Sequence, residues 1–113
     1  MSKHDDRLSL SDMLCYAQEA VDLLGDESRE GLGRDRVLQL ALTRLIEIVG
    51  EAAKRISQHT QEKHAEVLWP QISGMRNRLS HGYDVIDLDL LWDTVTDDFP
   101  LLIAKLRQIV EED

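Results

Sequence analysis

The chain holds one cysteine, two prolines and one phenylalanine, and aromatic residues make up 4% of it. A lone thiol, Cys15, cannot form an internal disulfide, which excludes a cystine-stapled secreted scaffold and suits a reducing, cytoplasmic setting. It falls on a predicted apolar helix face, where a small buried hydrophobe is expected. Nowhere does the sequence approach the roughly 20 uninterrupted apolar residues of a membrane span, so a soluble protein with no membrane partner is expected. No stretch alternates polar and apolar residues long enough to make a convincing strand, and no repeat or low-complexity tract is present. Metal-ligand spacing is also scarce: His59 and His64 stand five apart in a polar stretch without a third ligand nearby, which makes a metal site there a remote prospect.

What is present is enough apolar material for one core. The 113 residues are 42% hydrophobic, the length of a single domain that needs neither disulfide nor metal to fold. Residues 1–113 are therefore read as one domain. Net charge is -9, which argues against broad electrostatic capture of nucleic acid. The charge is uneven, however. Between Arg34 and His81 stand eight basic and five acidic residues, a net of +3, whereas the remainder carries five basic and seventeen acidic, a net of -12. A mildly basic middle inside an acidic periphery is compatible with a local anion site.

Hydrophobic spacing organises the chain into helices. The first is expected from Ser9 or Ser11 to Leu24, with Leu10, Met13, Leu14, Ala17, Val21 and Leu24 on one face and Gly25 as its stop. The polar segment from Asp26 to Gly33 is expected to be the most flexible interior segment and a candidate for disorder. The second helix, from about Asp35 to Ser57, would be roughly 35 Å long. Its apolar positions cover more than one stripe, so it needs partners on two sides, in a bundle centre or a subunit interface. Gly50 in its middle costs about 1 kcal/mol relative to Ala and points to a close backbone approach. Glu47 and Glu51, one turn apart, could share a face with Lys54 or Arg55, and most such pairs are surface decoration.

Pro70 fits the first turn of a third helix that turns Ile72, Met75 and Leu79 inward and ends at Gly82. Asp87 is the expected cap of the last helix, with a kink or short break expected between Thr96 and Pro100. The predicted fold is all-α: four main helices in an up-down bundle, with room for a short extra helix between the second and third.

The chemistry concentrates in Met75 to Asp84, which reads Met-Arg-Asn-Arg-Leu-Ser-His-Gly-Tyr-Asp. Arg76 offers a planar fork of donors that matches a phosphate and does not lose its charge. His81 can take a proton from a ribose 2′-hydroxyl or give one to a leaving 5′-oxygen near neutral pH. The pair suits metal-independent RNA cleavage in which the 2′-oxygen attacks the adjacent phosphate and Arg stabilises the charge that builds there. On an ideal helix Arg76 and Tyr83 lie within about 20° of each other, and Asn77 and His81 within about 40°, but Arg76 and His81 stand about 140° apart. Either the helix unwinds near Gly82, or a two-fold dimer brings one copy's groups beside the other's; the surplus apolar surface of the second helix favours the dimer. On spacing alone, an Arg and a His on one helix are more often surface residues than catalysts.

The run Arg76-Asn77-Arg78-Leu79-Ser80-His81-Gly82-Tyr83 resembles the motif of HEPN-domain proteins, in particular the HepT-type ribonuclease toxins of prokaryotic toxin-antitoxin pairs. Ile46 to Arg55 is similar to that family's second helix, Trp69 to Met75 to the approach to its motif, and Asp87 to Val95 to its last helix. The resemblance implies a helical homodimer whose motifs face a shared cleft. There Arg76 and His81 would cut RNA without a cofactor, supported by Asn77, Arg78 and Ser80. It implies as partner a minimal nucleotidyltransferase antitoxin that transfers AMP to Tyr83, placing a bulky anion beside Arg76. The rival reading is a non-catalytic helical dimer that binds a nucleotide or serves the nucleotidyltransferase as an accessory subunit.

Overall fold

A computed structural model describes residues 5–80, 82–83 and 85–112. Its described residues form helices α1 (Asp6–Leu24), α2 (Arg29–Arg34), α3 (Arg36–Lys54), α4 (Gln58–Lys63), α5 (Trp69–Leu79), α6 (Leu88–Asp93) and α7 (Phe99–Glu112), the last two joined by a π-helical turn at Thr94–Asp98. The architecture is the all-α bundle expected from the spacing, and fits the HEPN-like fold that the resemblance implies; it is built on α1, α3, α5 and the α6–α7 rod. No described helix is long and apolar enough to cross a membrane.

Helix α1 begins earlier than expected. Asp5 caps it by accepting from the Arg7 amide, and Ser9 is buried inside the helix instead of capping it. Leu10, Met13, Ala17, Ala20 and Leu24 form its buried stripe. Cys15 is exposed, contrary to the expectation of burial; two residues beyond Met13, it is turned about 200° from the buried stripe.

The segment expected to be flexible folds into α2. Ser28 accepts from the Gly31 amide as its cap, Leu32 is fully buried, and the buried Gln39 side chain donates to the Leu32 carbonyl at 2.8 Å. Arg29 adds an ion pair to Asp89 at 2.8 Å. One buried leucine, the Gln39 hydrogen bond and the Arg29–Asp89 ion pair outweigh the two glycines of this turn.

Asp35 caps α3 by accepting from the Leu38 amide. The helix lies between α1 and α5, which accounts for most of its wide apolar surface. At Gly50 a Cβ would stand 3.1 Å from the Ile72 carbonyl oxygen of α5, so the close approach expected there is present. Not all of the apolar surface finds a partner: Val37 and Leu40, in the first turns, are 77% and 50% exposed.

The last helix is capped by Asp87, which accepts from the Leu90 amide. The irregularity expected before Pro100 takes the form of the π-helical turn. Pro100 lacks an N–H and its ring crowds the carbonyl one turn back, so a wider winding just ahead of it relieves the clash. Thr94 and Thr96 return their hydroxyls to the Leu90 and Trp92 carbonyls at 2.7 and 2.8 Å, which favours local bending.

Candidate functional site

The site is built where the end of α5 meets the first half of α3. Residues 36, 40, 43 and 47 recur at helical spacing, so Arg36, Leu40, Thr43 and Glu47 present one face of α3 to a cleft. Arg76, Asn77 and Ser80 reach the same cleft from α5, and Gly82, Tyr83, Val85 and Ile86 close it from the loop. The cleft measures about 550 Å³.

Local backbone chemistry fixes the loop. Helix α5 ends at Leu79, three residues short of the expected stop at Gly82, because Ser80 turns to an extended conformation. Ser80 pairs with Ile86 as an antiparallel bridge, and the Asp87 amide donates to the Leu79 carbonyl at 2.8 Å. The chain between them must reverse, and Gly82 does so at φ +104°, a conformation that side-chain-bearing residues rarely adopt. This pinch sets Tyr83 at the mouth of the cleft with its side chain fully exposed. Since regular winding stops at Leu79, the ideal-helix angle between Arg76 and residue 81 no longer applies. His81 itself, the expected proton-transfer group, lies outside the described residues, as does Asp84.

The structure thus brings Arg76, Asn77, Ser80 and Tyr83 together. Arg78 goes elsewhere. It lies on the opposite edge of α5, where its Nη2 donates to the Gln71 carbonyl at 2.8 Å and it lines an apolar groove with Met75, Leu90, Asp98, Phe99 and Leu102.

Electrostatics distinguish the cleft from the acidic chain around it. Its described lining contains two arginines, Arg36 and Arg76, and a single carboxylate, Glu47. Glu47 was expected to decorate the surface beside Lys54 or Arg55. Instead its Oε2 sits 3.1 Å from Nε of Arg76 and 4.0 Å from Nη1 of Arg44. Arg44 in turn reaches Oε1 of Glu51 at 3.3 Å. Neither Glu47 nor Arg36 is singled out by the sequence as part of the site. The signal available is their 36–40–43–47 spacing, which marks a shared face but not what crosses it. Among the described residues no group of three or more histidine, cysteine or carboxylate side chains is placed to hold a metal ion.

A cleft between α3 and α5 that carries two arginines and one carboxylate, closed by a tyrosine-bearing turn, defines a small α-helical protein whose site suits an anion. Residues 13–109 match the family model described as HepT-like, ribonuclease HepT-like, and the chain belongs to that family. It is 35% identical over 86 residues to a candidate RNase of Caldanaerobacter subterraneus, covering 76% of this chain and 77% of that one. It is 34% identical over 105 residues to the probable ribonuclease HepT of Thermococcus cleftensis, covering 89% and 96%. A candidate RNase of Methanocaldococcus jannaschii is 34% identical over 111 residues, 98% of both chains. No solved structure is a significant match.

Proposed function

We propose that the protein is the ribonuclease toxin of a toxin-antitoxin pair, cutting RNA without a metal ion at a cleft completed by a second copy of the chain. The observation that carries this reading is the convergence of Arg76, Asn77, Ser80 and Tyr83 on one cationic cleft, in a chain of the HepT-like ribonuclease family.

In the proposed reaction, His81 accepts the proton of a ribose 2′-hydroxyl as the 2′-oxygen bonds to the adjacent phosphorus. The bond from phosphorus to the 5′-oxygen breaks, that oxygen takes a proton from a solvent water, the protonated His81 gives its proton back to solvent, and a 2′,3′-cyclic phosphate and a 5′-hydroxyl remain. Arg76 stabilises the charge on the phosphoryl oxygens, which it can do without titrating. Asn77 and Ser80 supply neutral hydrogen-bonding groups beside it. Arg78, turned to the other edge of α5, supports the site only through the helix that carries Arg76.

Neutralisation follows from Tyr83. A cognate nucleotidyltransferase would join the tyrosine oxygen to the α-phosphorus of ATP and release pyrophosphate. The fully exposed side chain favours access, and the adenylate would compete with RNA for Arg76. Exposed Leu40 in the cleft lining, and exposed Val37 three residues before it on α3, are apolar surface of the kind a second copy would cover.

Incubating the purified protein with total RNA in EDTA, beside Arg76→Ala and His81→Ala, tests the reading. Cleavage lost in both variants supports it. A folded dimer that cuts nothing overturns it in favour of the non-catalytic accessory subunit. A mass gain of one or more adenylates on Tyr83 after co-expression with the nucleotidyltransferase supports the second half, and full neutralisation of Tyr83→Phe counts against it.

A further inference from the structure

Glu47 is the one carboxylate among the described residues of a cleft otherwise suited to an anion, and this calls for a physical reason. A negative charge there weakens attraction for a phosphate, so on binding alone the position would favour any neutral residue. The carboxylate is 80% shielded from solvent and makes a specific contact. Its side chain is 20% exposed while that of Arg76 is 64% exposed, so the more buried partner holds the more exposed one. The contact is an ion pair made at Nε, the nitrogen nearest the chain, and no second ion pair of the Arg76 guanidinium with a described residue is present. An ion pair at Nε tethers the guanidinium at its inner end and leaves the terminal nitrogens for a ligand.

Glu47 is itself held in place. Residues 44, 47 and 51 share a face of α3 at spacings of three and four. Arg44 bridges Glu47 and Glu51 at 4.0 and 3.3 Å, forming a row of alternating charge that ends on Arg76. Gly50 lies in the same stretch of α3 and brings the Ile72 carbonyl of α5 within contact, fixing the distance between the two helices one turn before Arg76.

We propose that Glu47 is a positioning residue for the reaction: it orients the Arg76 guanidinium so that its terminal nitrogens meet the reacting phosphate, at some cost in RNA affinity. This rests on the ribonuclease reading above. The distinguishing signature is a split between binding and turnover. Removing the carboxylate lets the arginine wander, and misplacement by about 1 Å can cost on the order of a hundredfold in rate. The same change removes a negative charge from the cleft, so RNA should bind as well or more tightly.

The test uses the full chain and an RNA oligonucleotide that the wild type cleaves, with single-turnover rates at saturating protein and binding read separately by fluorescence anisotropy. Glu47→Ala should lower the saturated rate about tenfold to a hundredfold with an unchanged or smaller Kd. Glu47→Gln, which keeps the side chain's length and a polar oxygen beside Nε, should recover part of that loss. In 15N-labelled protein the Arg76 Nε–H resonance should shift and broaden in Glu47→Ala and stay sharper in Glu47→Gln. A saturated rate for Glu47→Ala at or above the wild-type value overturns the proposal, since Glu47 would then merely compete with RNA for Arg76. An Nε–H resonance unmoved by Glu47→Ala, or a rate loss accompanied by an equal loss of binding, does the same. If the wild type itself fails to cleave any RNA, the ribonuclease reading falls first, whatever the resonance shows.

Discussion

Helix α5 carries two arginines two residues apart, and they inhabit different worlds. Arg76 faces a polar cleft, paired with a carboxylate from α3. Arg78 faces an apolar groove formed with α6, the π-helical turn and α7, its guanidinium tied to a carbonyl of its own helix. A separation of two residues is about 200° of helical rotation, so neighbours in sequence become opposite edges of one rod. The lesson is that charge in this stretch divides by direction: one edge offers groups to a ligand, while the other closes the bundle.

The comparison breaks or holds on a double dissociation between the two edges. Phe99, fully buried on the floor of the groove, should cost about 3–5 kcal/mol of stability when replaced by Ala, read as a large drop in Tm. Arg76→Ala, on an exposed position, should leave stability within about 0.5 kcal/mol. It should lower RNA cleavage on the order of a hundredfold to a thousandfold, the usual loss for one preorganised charge-stabilising donor. Arg78→Ala should leave the cleavage rate at saturating RNA close to wild type; a loss as deep as that of Arg76→Ala would erase the distinction between the edges. Gly50→Ala falls between the two. The added methyl would meet the Ile72 carbonyl at 3.1 Å, and since backbone yields poorly, overpacking of about 1–3 kcal/mol should exceed the gain in helix propensity of about 1 kcal/mol. A higher Tm for Gly50→Ala would show that α3 and α5 can separate freely.

Local signals carried much of this fold in the sequence. Asp35 and Asp87 cap the helices they precede, Gly50 marks a close helix crossing, and Pro100 follows an irregular turn. Each is a statement about one residue and its immediate backbone. What escaped depends on partners far along the chain. Helix α2 is too short and glycine-rich to form on propensity, and it exists because Leu32 finds the core and Arg29 finds Asp89. Of the site, the Arg76 to Tyr83 run was legible as chemistry, but not which of Arg76 and Arg78 meets the cleft, because that is set by what packs on each edge of α5. Glu47 was read against its own helix, where Lys54 and Arg55 are candidates; its real partner comes from α5, and no pattern within α3 announces it.

The smallest predicted effect sharpens the groove side. Asp98, in the π-helical turn, has its pKa raised chiefly by desolvation, further by the negative charges of Asp97 and Asp93, and is drawn back down by Arg78. The folded chain therefore holds this proton to higher pH than the unfolded chain, whose Asp titrates near about 3.9. Its contribution to stability is fully present below that unfolded value and is lost as pH rises through the folded pKa. Asp98→Asn should accordingly raise Tm modestly at pH 7, with the gain shrinking toward pH 4. Arg78 should matter to stability through the same charge. Removing it takes away the positive charge that favours ionised Asp98, so Arg78→Ala should lower Tm at pH 7 in the wild-type background and by less in the Asp98→Asn background, as thermal melts of the four proteins at both pH values would read. Equal losses in the two backgrounds would mean that Arg78 acts through its carbonyl bond to Gln71 alone, making this edge of α5 a matter of helix closure with no electrostatic share.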